Sequence, residues 1–290
     1  MHTLRYAYNT NGCAHHRLAD ALDLIATHGY QGVALTLDWQ HLDPFAADWQ
    51  TQTGRLATKL TELDLSCVIE TGARYLLNPS QKHEPTLINP SAEGRSFRQQ
   101  FLRRAVDIAR IVNAETVSFW AGIKQPTVTD TAALSYLGEG LLALADYADA
   151  QQVQLSFEPE PGMFIETNAD YDRLLGAYPA LIGRLHLALD LGHVWVTGED
   201  DPVHAIHHYA DRLGTISIEG MQAGEHLHLP LDQGDMAIPP LLEALQHIRF
   251  DRLVCVELSR ESPRAHLAIP ESIRFLRQTE ASLGGGALLQ

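Results

Sequence analysis

Three carboxylates and three imidazoles are spaced along this chain so that a single site could gather them. Glu158, Asp190 and Glu257 each end a short apolar run. His193 follows Asp190 by three residues in Asp190-Leu191-Gly192-His193, and His226 and His228 form an H-x-H pair in Glu225-His226-Leu227-His228. Two unit charges about 4 Å apart repel by roughly 4 kcal/mol at an effective dielectric near 20, so convergent acids are either protonated or neutralised by a cation. A divalent metal is the simplest neutraliser. Oxygen ligands suit Mg2+ or Mn2+, and mixed imidazole–carboxylate sets suit Zn2+, Co2+ or Mn2+. A lone strand-end acid more often pairs with a local cation, as Glu257 could with Arg260, but three at equivalent positions point to a site.

Whether these residues meet depends on the elements that carry them. Short β-rich runs alternate with amphipathic stretches eight times. The strands are expected at 4–8, 32–37, 66–70, 116–120, 153–158, 185–190, 215–218 and 253–257. Helices are expected at 17–27, 49–63, 97–112, 132–150, 169–177, 203–212, 239–247 and 270–283. Phe101, Ala105, Ile108 and Val112 recur at three- and four-residue intervals, which lays one apolar stripe on a sheet. Eight strand–helix units in a chain of this length predict a single-domain α/β protein, a (β/α)8 TIM barrel over 1–283, with a flexible tail at 284–290. A doubly wound sheet would carry a Gly-rich turn after its first strand, where this chain reads Asn9-Thr10-Asn11-Gly12.

Strand parity then sorts the side chains. Val153, Leu155 and Phe157 face the helices, leaving Gln154, Ser156 and Glu158 to face the barrel axis; Leu185, Leu187 and Leu189 likewise leave His186, Ala188 and Asp190. Ile216 and Ile218 point out, and Thr215, Ser217 and Glu219 point in. The acids therefore gather at the C-terminal face, where barrels of this kind carry their sites. Several loop residues are secondary candidates for substrate contact. These are Glu70 and Arg74 after the third strand, Trp120 at the end of the fourth, His193 and Glu219. Residues 71–96 form a long connection with no evident element, in which Lys82 joins Arg74 as a group able to hold a phosphate or carboxylate.

Composition narrows the class. The chain has 290 residues, a net charge of −15 and 15 histidines. That acidity and the lack of a basic stripe argue against a nucleic-acid partner. There is no apolar run of membrane-spanning length and no signal-peptide pattern at the start. Cys13, Cys67 and Cys255 have no paired spacing, which fits a soluble protein of a reducing, cytoplasmic compartment. Homo-oligomerisation is compatible with all of this. His28, His204, His207, His208 and His247 fall on helices or helix ends, where solvated faces explain them.

The eight-unit plan, Phe157-Glu158-Pro159-Glu160-Pro161-Gly162, Asp190-Leu191-Gly192-His193 and Val256-Glu257-Leu258-Ser259-Arg260 together resemble the sugar phosphate isomerase/epimerase group of the xylose isomerase-like, endonuclease IV-like TIM barrel superfamily. The resemblance implies one divalent metal held by Glu158, Asp190, a strand-seven His and Glu257. It also implies proton transfer through an enediolate by Glu158 and Glu257 on a small sugar, keto-sugar or inositol-like polyol. The chain departs from that pattern at one ligand, because Ser217 stands where the His is expected. A neutral hydroxyl is a poor transition-metal ligand. His193, His226 and His228 resemble a second trio found in endonuclease IV-like members, which implies a metal displaced toward them or a remodelled site; Glu219, two residues beyond Ser217 on the same strand face, is a further candidate ligand. Three functions follow: a metal-dependent isomerase or epimerase, a phosphodiesterase of the endonuclease IV kind, and a barrel that binds a metabolite without turning it over.

Overall fold

The computed structural model describes residues 2–72 and 74–285. Eight parallel strands close into a barrel: β1 (Arg5–Asn9), β2 (Gly32–Thr36), β3 (Ser66–Glu70), β4 (Val117–Phe119), β5 (Leu155–Phe157), β6 (Leu185–Asp190), β7 (Leu213–Ile218) and β10 (Leu253–Val256). Each lies between its neighbours in chain order, with β10 closing onto β1. Between β7 and β10 a separate antiparallel hairpin is formed by β8 (Gly220–Gln222) and β9 (Glu225–Leu229). Helices α1 (Leu18–Thr27), α2 (Trp49–Glu62), α3 (Ala92–Val112), α4 (Asp130–Gln151) and α5 (Asn168–Ala177) cover the first half. Helices α6 (Leu191–Thr197), α7 (Pro202–His208), α8 (Ile238–His247) and α9 (Ala265–Gly285) cover the second.

The barrel interior is built in layers set by the two-residue period of its strands. Ala7, Ala34, Val68, Leu253 and Cys255 form a small, fully buried apolar cluster of their own. Two residues further along those strands come Asn9, Thr36, Glu70 and Glu257, and all four line one cavity at the C-terminal end. Small apolar side chains thus plug the lower barrel, and the next layer of the same faces is polar. Outward-facing Leu155, Phe157, Leu187, Ile216 and Ile218 join the main core with Phe101, Ala105 and Ile108 of α3, as the stripe on that helix requires.

Several expectations need correction. The connection after β3 is shorter than 71–96, because Ser91 caps α3 by accepting the backbone N–H of Gly94 and the helix starts at Ala92. The helix expected at 203–212 stops at His208 and gives way to a 3-10 turn at Ala210–Arg212. The last helix begins at Ala265, five residues before Pro270, and runs to Gly285. Residues 286–290 of the expected tail lie outside the described residues. The stretch after the seventh barrel strand, for which no element is expected, contains the hairpin, and His226 and His228 occupy β9. Among the described residues no helix is long and apolar enough to cross a membrane.

Candidate metal centre and active-site cavity

The polar layer opens into a cavity of about 480 Å3 at the C-terminal mouth of the barrel. It lies in the size range of small-ligand sites. Glu158 follows β5, Asp190 ends β6, Glu219 joins β7 to the hairpin, and Glu257 follows β10. The first three are buried in a chain that exposes most of its acids.

Asp190 organises the centre. It is the N-cap of α6, and its Oδ1 accepts the backbone N–H of His193 at 2.8 Å. That single bond turns the imidazole back into the barrel, leaving His193 Nε2 3.6 Å from Asp190 Oδ2. His193 Nδ1 lies 3.1 Å from the Pro159 carbonyl. A carbonyl only accepts, so the ring donates from Nδ1, and in the neutral imidazole Nε2 keeps a free lone pair. The strand pleat does the same for the other two imidazoles. His226 and His228 alternate with Leu227 on β9, so both rings face His193, with ring centroids 4.7 and 6.0 Å from it.

Glycine makes room for the remaining acid. A Cβ on Gly192 would run into Oε1 of Glu219 and, at 2.5 Å, into the Met221 methyl. The glycine of the Asp190-Leu191-Gly192-His193 run is therefore the space into which Glu219 reaches. From there Glu219 Oε2 lies 3.9 Å from His228 Nδ1.

A metal-ion fit can be judged from the atoms these groups leave over. With the carboxyls ionised, Asp190 Oδ2, both Glu219 oxygens, His193 Nε2, His226 Nε2 and His228 Nδ1 are all buried without a hydrogen-bond partner; protonation of Glu219 lets it bond to Asp190 and satisfies that pair alone. Buried polar atoms without partners cost about 1–3 kcal/mol each, so a cluster of them is not ordinary core structure. Their potential ligand atoms fall in three overlapping groups, each within 4.8 Å: His193, His226 and His228; Glu158, Asp190 and His193; Asp190, Glu219 and His228. The donor set, imidazole plus carboxylate, fits a borderline divalent ion such as Zn2+, Mn2+ or Co2+. Ser217 pairs in register with Asp190 on β6 and Cys255 on β10 but belongs to none of these groups. Glu257 also stands outside them, and its Oε1 accepts from Asn11 Nδ2 at 2.8 Å.

The electrostatics follow from crowding. Burial pushes the Glu158 and Glu219 carboxyls well above the usual carboxylate range, and neighbouring acids push them further. Burial and then the charge of Glu257 raise Glu70 to about 8. Burial acts in the same direction on Asp190, but His193 and His228 outweigh it and hold that carboxyl below its ordinary value. His226 is lowered to about 4 by burial and by its two neighbouring imidazoles.

Of the secondary candidates, Glu70, Arg74, Trp120 and His193 line the cavity, whereas Glu219 lies behind its wall and is not among the lining residues. Trp120 is held from behind by the Arg98 guanidinium, 4.4 Å from its ring centroid, and by the edge of His83 at 5.0 Å. Other lining residues carried no assigned role from the sequence, among them Asn9, Asn11, Ser118 and Glu160. Glu160 had a signal, since it sits in the same Glu158-Pro159-Glu160 run; the others are ordinary polar residues whose meaning is their layer.

Comparison with known proteins agrees with the architecture. A family model described as xylose isomerase-like TIM barrel matches residues 22–279. An inosose dehydratase of Lacticaseibacillus casei is 27% identical over 147 residues, which is 45% of this chain and 48% of that protein. The chain thus spans about half the length of the curated relatives it matches. The structure of an L-ribulose 3-epimerase superposes with a TM-score of 0.77 at 17% identity, over 99% of this chain and 98% of that one. An IolI protein with a bound zinc atom superposes with a TM-score of 0.69 at 14% identity, over 96% and 97%. With a closed eight-stranded barrel and a family match across most of its length, the chain belongs to the xylose isomerase-like TIM barrel family.

Proposed function

We propose that the protein is a metal-dependent isomerase or epimerase of a small sugar, keto-sugar or inositol-like polyol. The observation that carries this reading is the cluster of buried ligand atoms on Asp190, His193, Glu219, His226 and His228, beside a cavity that Glu70, Glu158, Glu160 and Glu257 line. Asp190, His193 and His228 recur in two ligand groups each, so they form the heart of the metal site, with Glu158, Glu219 and His226 completing it. Glu219 supplies the strand-seven ligand that Ser217 does not. A divalent ion there would act as a Lewis acid on a carbonyl–hydroxyl pair of the substrate and acidify the carbon-bound proton between them.

The chain's own groups then move that proton. Glu158 and Glu257 rise from β5 and β10, which are separated round the barrel by β6 and β7, so two walls of the cavity each present a carboxyl. One takes the proton from carbon and the other returns a proton, by enediolate proton transfer. Asn11 fixes the Glu257 carboxylate, and Ser118 donates to Glu158 Oε2 at 3.5 Å. Trp120 offers an apolar plane for the carbon face of a polyol. The zinc in the superposed IolI protein and the epimerase fold likeness support the reading. The three buried, unpaired thiols and the acidic surface support a cytoplasmic protein without a nucleic-acid partner.

The inosose dehydratase likeness favours a second outcome of the same proton abstraction, in which water is lost from the neighbouring carbon. One experiment addresses both. The Mn2+- or Co2+-loaded protein is incubated in D2O with a panel of keto-sugars and an inosose, and followed by proton NMR. Deuterium at the carbon beside the carbonyl with the sugar retained supports epimerisation, and a new unsaturated ketone supports dehydration. Neither change in any substrate would leave a binding barrel as the better account.

A further inference from the structure

The cavity wall holds a second kind of chemistry that the proton transfer does not use. Arg74 and Lys82, on the connection after β3, and Arg260, on the connection after β10, all line the cavity that contains the ligand cluster. Nine other basic side chains of the described residues are held by carboxylates at 4.0 Å or closer, Arg5, Arg184 and Arg277 among them. Arg74, Lys82 and Arg260 make no such pair and donate no side-chain hydrogen bond among the described residues, although the cavity also contains Glu70, Glu158, Glu160 and Glu257. Arg260 is three residues from Glu257, yet Glu257 is bonded by the neutral Asn11 instead.

Position separates Arg74 and Arg260 from the ligands, while Lys82 stands nearer to them, close enough for its charge to lower His226. The ligand cluster stands over β5, β6, β7 and the hairpin, whereas Arg74 and Arg260 stand over β3 and β10, with β1 and β2 between those two strands. The neutral amides and hydroxyl of Asn9, Asn11 and Thr36 pave that part of the floor. A polyol reaching from the ligand cluster across this floor would bring its far end to three unpaired cations. Guanidinium and ammonium groups in that arrangement are suited to a terminal oxyanion, each charge-assisted bond being about twice as strong as a neutral one.

We propose that the substrate carries a terminal oxyanion, a carboxylate or a phosphate, at the end remote from the metal-ligand cluster, and that Arg74, Lys82 and Arg260 receive it. The proposal rests on the sugar-site reading above but concerns binding rather than turnover.

The test uses three probes that differ only at C6 of one keto-sugar: D-fructose, D-fructuronate and D-fructose 6-phosphate. Their affinities for the Mn2+-loaded protein are measured by calorimetry at about 50 mM and about 500 mM salt, since screening at the higher salt weakens exposed charge contacts. At least one charged probe is expected to bind about ten-fold or more tightly than D-fructose at low salt, and which one identifies carboxylate or phosphate as the natural group. The preference is expected to collapse in the Arg74→Gln/Lys82→Gln/Arg260→Gln variant and to persist in Arg110→Gln, a charge control on the exposed side of α3. Equal affinity for all three probes overturns the proposal, as does a preference that survives the triple variant. So does the absence of binding by any probe below about 10 mM, since three receptive cations would then be receiving nothing. Solvent-deuterium exchange is scored separately. Charge preference without exchange leaves this proposal standing and removes the isomerase reading; exchange without charge preference does the reverse.

Discussion

Asp190 meets His193 twice: Oδ1 caps the helix by accepting the backbone N–H at 2.8 Å, and Oδ2 stands 3.6 Å from Nε2 of the same residue. One carboxylate therefore ends a strand, starts a helix and presents a ligand atom beside an imidazole that it has oriented. Asp190→Asn separates these roles, because Asn is also a good N-cap but carries no charge. The metal-free protein is expected to keep its melting temperature within about 2 °C, while affinity for Mn2+ or Zn2+ falls by at least about 100-fold. Calorimetry with the metal and a thermal melt in chelator measure the two effects independently.

Gly192→Ala tests the space behind the centre. The added methyl meets Glu219 and Met221, and neither can retreat far in a buried site. A loss of about 1–3 kcal/mol is expected from overpacking, read as a lower denaturation midpoint. Metal affinity should fall with it. A variant that binds metal normally would mean that Glu219 is not a ligand.

Glu158→Gln and Glu257→Gln keep the shape of the cavity and remove the groups assigned to proton transfer. Each should slow solvent-deuterium incorporation by about 10^2–10^4-fold once an active sugar is identified. Glu257→Gln should leave metal affinity near the wild-type value, because Glu257 lies outside the ligand groups. Full exchange in both variants would assign the chemistry to other residues, Glu160 first.

The metal-free protein should lose stability as pH rises. Burial and Glu257 raise Glu70 from 4.5 to about 8, so the folded protein holds that proton more tightly than the unfolded chain. Its contribution is complete below about pH 4.5 and is lost as pH climbs through about 8. Thermal melts in chelator between about pH 7 and 9, above the range in which buried His226 titrates, should slope downward, and Glu70→Gln should flatten the slope. An unchanged slope in that variant would move the effect to the other buried acids.

His226→Ala/His228→Ala should abolish most of the stabilisation that metal confers. For the wild type, metal at a hundred times its dissociation constant is worth about 2.7 kcal/mol. Differential melts with and without Mn2+ read this directly. A full metal-induced shift in the double variant would place the ion on Glu158, Asp190 and His193 alone.

The barrel was legible because two periods alternate without interruption, and the inward acids because parity is strict where helices cover one sheet face. The parity of β10 was harder to read, since Leu253, Val254, Cys255 and Val256 are all apolar. Only the layer formed with Ala7, Ala34 and Val68 shows which of them face inward. The hairpin escaped notice because β8 has three residues and the alternation in β9 covers only five, three of them histidine or glutamate rather than strand-forming apolar residues. Helix α6 is seven residues long, below the length at which a stripe can be recognised. Ser217 looked like a missing ligand. The part Glu219 takes depends on the room at Gly192, a contact between residues 27 apart in sequence, and no local pattern encodes it.

The hairpin that carries His226 and His228 hydrogen-bonds to itself and adds no strand to the closed barrel. Two of the imidazoles around the proposed ion therefore belong to an appendage, while Glu158, Asp190 and His193 belong to the frame. An ion bound by both acts as a rivet between them. A change in the hairpin can then alter metal choice or substrate fit without touching the hydrogen bonds that close the barrel.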